Sequence, residues 1–244
     1  MPDTSSSLQV VGLEWDEFRT WFRAHWEPGQ HVALVGPTGT GKSTLMVGIL
    51  PDRKYVMALD PKGGDSTLSH LERKGFQRVA WPPPKEVRKG IEEGRPARLI
   101  VGAAVKGTED LPRLRRQMGM ALRDAFNEQG WTVYVDELQI VADRRLMNLG
   151  ASIERNLIAA RDRKVSMVMS FQRPANVPRS AAEMSTWFIV LYTRDRDTVD
   201  RLAEMAGRPT AEMRGMVKGL PQYCVLVFSR DPRSPVIVTK AEKV

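Results

Sequence analysis

Apolar residues in this chain alternate between short continuous blocks and stretches where they recur every three or four positions. Trp15, Phe18, Phe22 and Trp26 stand near helical spacing with charges between them, so the spacing predicts an amphipathic helix over 14–26. Its aromatic face either packs on the core or docks a partner. Pro28-Gly29 ends it. Apolar blocks predict strands over 31–35, 54–60, 76–81, 97–102, 131–135, 165–170, 186–193, 222–229 and 235–239. Helical patterns fall between many of them, over 42–50, 85–93, 111–129, 151–163 and 197–206. Strands alternating with helices predict an α/β fold with a mostly parallel central sheet flanked by helices. Residues 1–8 are polar and Ser-rich, a loose tail. The domain reading is therefore 1–30, a tail and amphipathic helix, followed by one domain over 31–244.

Composition narrows the class. Hydrophobic residues make up 42% and charged residues 27% of the 244, which suits a globular enzyme. No apolar run reaches the ~20 residues of a membrane span, and residues 1–10 do not read as a secretory signal. A single cysteine, Cys224, rules out an internal disulfide, and His25, His31 and His70 lack zinc-ligand spacing. A cytoplasmic location is expected. The net charge is +8, and the first 30 residues carry −3 of it, leaving +11 for the remainder. Such a basic body suits a polyanion, with nucleic acid first in mind, although solvated surface charge alone gives the same count.

The chemistry begins after the first strand of the main domain. Gly36, Pro37, Thr38, Gly39, Thr40, Gly41, Lys42 and Ser43 fit the phosphate-loop pattern G-x-x-x-x-G-K-S, with Thr44 next. Glycines let backbone N–H groups curl around phosphates, and the helix that follows adds its positive end. Lys42 is expected on the β- and γ-phosphates of ATP, and Ser43 on Mg2+. Magnesium also needs a carboxylate from a sheet edge. The strand Thr132-Val133-Tyr134-Val135 delivers Asp136 for that role, and Glu137 to polarise the attacking water. A strand ending in Ser170-Phe171-Gln172-Arg173-Pro174 offers Gln172 to hydrogen-bond the γ-phosphate, unless it is an ordinary turn residue.

Taken together, GPTGTGKS, the strand ending Asp60-Pro61-Lys62-Gly63-Gly64, VYVDE and SFQRP resemble the FtsK/HerA superfamily of DNA-pumping ATPases. That superfamily spans chromosome translocases, conjugative coupling proteins and packaging ATPases of certain viruses. The resemblance runs over roughly residues 30–240. It implies a RecA-like P-loop NTPase core that hydrolyses ATP with Mg2+. It also implies an arginine that reaches the ATP of a neighbouring subunit. By position this is Arg161, with Arg163 second, in a homo-oligomeric ring, hexamer or pentamer. The chain lacks membrane-spanning segments, a further DNA-reading domain and a long accessory insert. What remains is the compact form expected of a viral genome-packaging ATPase, with a capsid portal or a membrane protein as its docking partner.

Double-stranded DNA is the implied partner, gripped without sequence preference through its phosphates. Lys106, Arg113, Arg115, Arg116, Arg144 and Arg145 are the candidate contacts. Plasmid transfer, a helicase task, or an ATP-dependent assembly switch without translocation are the other readings. Glu137 speaks against a pure switch, which needs no water-activating acid.

Overall fold

The computed structural model describes residues 9–62, 68–102 and 110–241. The elements follow the apolar pattern closely. Strand β1 (Val10–Gly12) leads into helix α1 (Trp15–His25), β2 (His31–Val35) and α2 (Lys42–Ile49). Then come β3 (Tyr55–Leu59), α3 (Ser69–Arg73), β4 (Gln77–Val79), α4 (Lys85–Glu92) and β5 (Ala97–Val101). The second half begins with α5 (Leu111–Glu128), β6 (Thr132–Val135), α6 (Leu138–Ala142), α7 (Gly150–Ile158), α8 (Ala160–Arg163) and β7 (Ser166–Phe171). It closes with α9 (Arg179–Glu183), β8 (Ser185–Leu191), α10 (Arg196–Ala206), α11 (Thr210–Gly219), β9 (Cys224–Ser229) and β10 (Val236–Lys240).

The ten strands among the described residues join one sheet in the order β1-β10-β9-β8-β2-β7-β6-β3-β5-β4. Only the β8–β9 and β9–β10 pairings are antiparallel. The central strands are buried on both sides, so their sequences read as apolar runs, as covered parallel sheets require. Alternation still sorts the two faces. Ala33, Val35, Met57, Leu59, Val133 and Val135 face one core with α5, α7, α10 and α11. Val32, Leu34, Val56, Ala58 and Tyr134 face the other, with α1 and α2. The chain therefore has three layers, helices on sheet on helices.

The aromatic stripe of α1 is core: Trp15, Phe18, Phe22 and Trp26 are all buried. Phe22 meets Trp187 of β8 edge-on. Trp15 lies so close to Gly48 of α2 that a Cβ there would stand 2.4 Å from its ring. Only glycine admits that approach. At the far end, half-buried Arg53 donates to the Trp26 carbonyl, to Thr132 Oγ1 and to Ser166 Oγ. Burial pushes its pKa down to about 10, so it remains a cation at neutral pH. Trp81 and Trp131 are also buried.

One predicted helix is two. The pattern over 151–163 reads as continuous, but Ala159 leaves the helical range with ψ of 4° and separates α7 from α8. The backbone there is closely covered: a Cβ on Gly29 would stand 2.8 Å from the Ala160 carbonyl oxygen. Strand β1 and helices α3, α6, α9 and α11 were not expected from the pattern. Gly63, Gly64 and Lys106 lie outside the described residues.

His31 is buried at the start of β2, where Nδ1 accepts the Met167 N–H at 2.9 Å and Nε2 donates to the Leu157 carbonyl at 3.0 Å. That pairing requires neutral imidazole, and burial lowers the pKa from its ordinary 6.5. Between the lowered native value and 6.5 the unfolded chain binds more protons than the folded one, so stability rises with pH there. Urea midpoints should hold above about pH 7 and fall as pH drops below 6.5. His31→Gln, which keeps a donor and an acceptor without titrating, should flatten that decline. An equally steep decline in the variant would exclude His31 as its source.

Candidate active site

Strand β2 sits near the middle of the sheet with β8 on one side and β7 on the other. Strand β6 follows beyond β7. All four are parallel, so their C-terminal ends share one edge, the place where α/β sheets hold ligands. The chain leaves β2 as the loop Gly36–Gly41 and enters α2 with Lys42, Ser43 and Thr44 in its first turn. Gly39 and Gly41 have φ of 77° and 100°, a backbone that side chains rarely adopt. Gly36 is needed for a different reason, since a Cβ would meet Leu191 at 2.9 Å. Thr40 Oγ1 donates to the Pro37 carbonyl at 2.7 Å and closes the loop.

Lys42 bends back over this loop and donates to the carbonyls of Gly36 and Pro37 at 2.7 and 2.9 Å. Burial lowers its pKa, and Asp136 and Glu137 pull it partly back. A phosphate fits this cradle well. At Gly39 the space that a Cβ would take is open, and the ammonium is already poised at the loop.

Asp136 is buried at the exit of β6. Tyr134, two residues earlier on the same face, donates its hydroxyl to Asp136 Oδ1 at 2.9 Å. Burial and then the Asp136 charge push the Tyr134 phenol well up, and the nearby Ser43 and Ser170 hydroxyls offset this in part. Ser43 and Asp136 thus meet around one phenol. A hydroxyl and a carboxylate are hard oxygen donors, and magnesium commonly takes one or two carboxylates and completes its shell with water and substrate phosphates. The donor set fits that ion. Among the described residues no cluster of three or more His, Cys, Asp or Glu side chains offers a larger metal cage.

Glu137 caps α6 in a left-handed conformation, φ 49° and ψ 61°, which turns its side chain sharply off the strand direction. Its carboxylate pairs with Lys62 Nζ at 2.7 Å. Lys62 is a site residue that motif reading passed over. The signal lay in the strand order: β3 pairs with β6 and sets Leu59 opposite Val135, so the residues beyond them meet. Buried Asp60 anchors this turn by accepting from the Lys62 N–H at 3.2 Å and pairing with Arg78 at 2.7 Å. Gln172 leaves β7 half-buried, between the phosphate loop and the Asp136 strand.

Arg161 lies elsewhere. It is exposed on α8, at the N-terminal end of β7. The six residues of β7 separate it from Gln172, about 20 Å at ~3.3 Å per residue. Within one chain it does not reach the site. Arg163 stacks over Phe126, with its guanidinium 5.0 Å from the ring centre. Arg113, Arg115 and Arg116 are exposed on the first turns of α5, and Arg144 and Arg145 in the turn after α6. Helix α5 comes after β5 in the chain, and that turn comes after β6 and α6. None of the five side chains forms an ion pair among the described residues.

No protein-family model matches the sequence, and no curated protein matches it. Solved structures do match its fold. The genome packaging NTPase B204 from Sulfolobus turreted icosahedral virus 2, in complex with AMPPCP, matches with a TM-score of 0.59 at 18% identity, over 88% of this chain and 100% of that one. VirB4 of Thermoanaerobacter pseudethanolicus gives a TM-score of 0.61 at 12% identity, covering 88% of this chain and 89% of that one. The cytoplasmic domain of the Thermomonospora curvata Type VII secretion ATPase EccC gives 0.56 at 18% identity, over 91% of this chain and 26% of that one. The chain shares the mostly parallel α/β fold of these proteins. Among the described residues no helix is long and apolar enough to cross a membrane.

Tyr134→Phe should remove the donor to Asp136 and leave the shape of the core unchanged. A hydrogen bond to a charged group contributes about 1.5–3 kcal/mol. Chemical denaturation near neutral pH should show a loss of that order. A loss near zero would mean that the phenol does not support the carboxylate.

Proposed function

We propose that the chain is an ATP-hydrolysing motor that moves double-stranded DNA, and that it packages a viral genome into a capsid. The observation that carries this reading is the adjacency of β2, β7 and β6. That order sets a phosphate loop, a strand-end glutamine and an Asp-Glu pair along one edge. The fold likeness to a viral packaging NTPase and the exposed arginines of α5 and of the turn after α6 support the DNA reading.

In this reading Lys42 and the backbone of Gly36–Ser43, with Thr44, grip the phosphates. Ser43 and Asp136 hold Mg2+, which when bound offsets charge on the β- and γ-phosphate oxygens. Glu137 orients a water and accepts its proton, for which its carboxylate must part from or share Lys62. Gln172 hydrogen-bonds the γ-phosphate and carries its loss into β7. Arg161, unable to reach its own site, acts on the ATP of the next subunit in a homo-oligomeric ring. The exposed arginines of α5 and of the turn after α6 grip DNA phosphates. The basic body beyond residue 30 suits that partner.

Steady-state ATPase activity, with and without linear double-stranded DNA, tests the core of this. DNA should stimulate turnover. Glu137→Gln should lower kcat by at least ~10²-fold and leave ATP binding in place, the scale of a lost general base. Hydrolysis indifferent to DNA in the wild type would sink the motor reading and leave the ATPase.

DNA affinity should fall steeply with salt. Arg115→Ala together with Arg116→Ala should flatten the log–log slope by about one for each phosphate no longer gripped. A salt-independent affinity would exclude a phosphate track.

Arg161 has its own test. Turnover per subunit should rise with protein concentration as rings assemble, and Arg161→Ala should cut the assembled rate by ~10³-fold or more. A dilute monomer as fast as the concentrated protein would remove Arg161 from this role.

A further inference from the structure

Beside the tip of the phosphate loop lies a cavity of about 490 Å3 whose other walls lie outside the motifs. Gly39 and Thr40 form one wall, and Tyr192, Arg194, Lys218 and Tyr223 contribute to the rest. Its volume falls within the ~300–1,000 Å3 of small-molecule sites. Sheet register brings the two walls together. Val190 of β8 lies opposite Val35 of β2, so Tyr192 leaves its strand level with the start of the loop.

Tyr192 is tethered at its hydroxyl, and Tyr223 has an unusual backbone. The Tyr192 hydroxyl accepts from Arg194 Nε at 3.2 Å, which fixes the outer edge of that ring. Tyr223 is 43% exposed and sits at φ 66°. A large aromatic residue in left-handed backbone is strained, and such strain gathers at binding sites. Burial cannot explain the ring, because much of it faces solvent.

We infer that this cavity receives the nucleoside half of the bound nucleotide, with the base lying against Tyr223 and Tyr192. The inference rests on Gly36–Ser43 acting as the phosphate loop. A flat base is the ligand chemistry that aromatic walls beside a phosphate cradle suit. Arg194 and Lys218 add positive charge toward the triphosphate and can lie over the base face. Gln222 also lines the cavity and offers a donor and an acceptor to a base edge. No carboxylate stands among the described lining residues to receive the N1–H and amino group of guanine. The site therefore grips a base by stacking and discriminates weakly between adenine and guanine.

Calorimetric titration with ATP, GTP and inorganic tripolyphosphate separates the two halves of the ligand. Tyr223→Ala should weaken ATP by about tenfold to a hundredfold, the range of base–aromatic stacking. It should leave tripolyphosphate within about twofold, since the phosphate cradle is untouched. Tyr223→Phe should restore ATP affinity. Tyr223 is exposed, so neither variant threatens the core. Unchanged ATP affinity in Tyr223→Ala, or an equal loss for tripolyphosphate, would overturn the base site. So would rejection of GTP by ~10⁴-fold, the mark of a site that reads hydrogen bonds. Lys42→Ala, by contrast, should weaken ATP and tripolyphosphate alike. If it weakens neither, it is the phosphate-loop reading that fails.

Discussion

Parallel pairing of β2, β7 and β6 is the constraint on which the site depends. In a parallel ladder every strand leaves the sheet at the same edge, so whatever follows each strand is brought together without further design. Gly36, Gln172 and Asp136 follow three neighbouring strands, and the ladder fixes their spacing. A one-residue slip would turn Tyr134 to the opposite face and carry its hydroxyl away from Asp136. The double burial of the sheet prevents that slip. Val133 and Val135 fill one core while Tyr134 fills the other, and neither core accepts the exchange.

The N-terminal helix is part of the same arrangement. Trp15 packs directly on Gly48, and Gly48 lies in the helix whose first turn carries Lys42 and Ser43. Phe22 joins that helix layer to Trp187 of β8, and Arg53 ties the helix end to β6 and β7. The helix that presents the phosphate loop is thus wedged between the sheet and an aromatic stripe. A close-packed interior has low compressibility and transmits strain. A displacement of α1 would reach the loop through Gly48, where no side chain can yield.

Much of this was legible in the sequence, for identifiable reasons. Strands such as His31–Val35 and Thr132–Val135 are continuous apolar runs ended by glycine or acid, and each ends in the chemistry that marks it. The elements that escaped notice lack a strong local signal. Strand β1 has only three residues and exists through its pairing with β10. Helix α11 contains two glycines, and α6 begins on a left-handed glutamate instead of a capping side chain. The site residues that escaped notice are relational. Tyr134 reads as one more strand hydrophobe until its hydroxyl is found on Asp136. Lys62 lies 75 positions from Glu137 in sequence, and only the β3–β6 pairing brings them together.

That pairing has an electrostatic consequence. Around the cradle stand two cations, Lys42 and Lys62, and two carboxylates, Asp136 and Glu137. At rest their charges cancel, and each lysine has oxygen partners: Lys42 on loop carbonyls, Lys62 on Glu137. In the proposed motor, a triphosphate with one magnesium would bring net negative charge into this balanced set and would compete with the loop carbonyls for Lys42 and with Glu137 for Lys62. The Lys62–Glu137 pair is half exposed on the lysine side, so screening keeps it weak enough to exchange. Asp60, by contrast, is wholly buried against Arg78 and anchors the turn. The fold thereby separates a fixed anchor from an exchangeable partner within three residues. In the proposed motor this lets the incoming phosphates release the carboxylate that is to act on water.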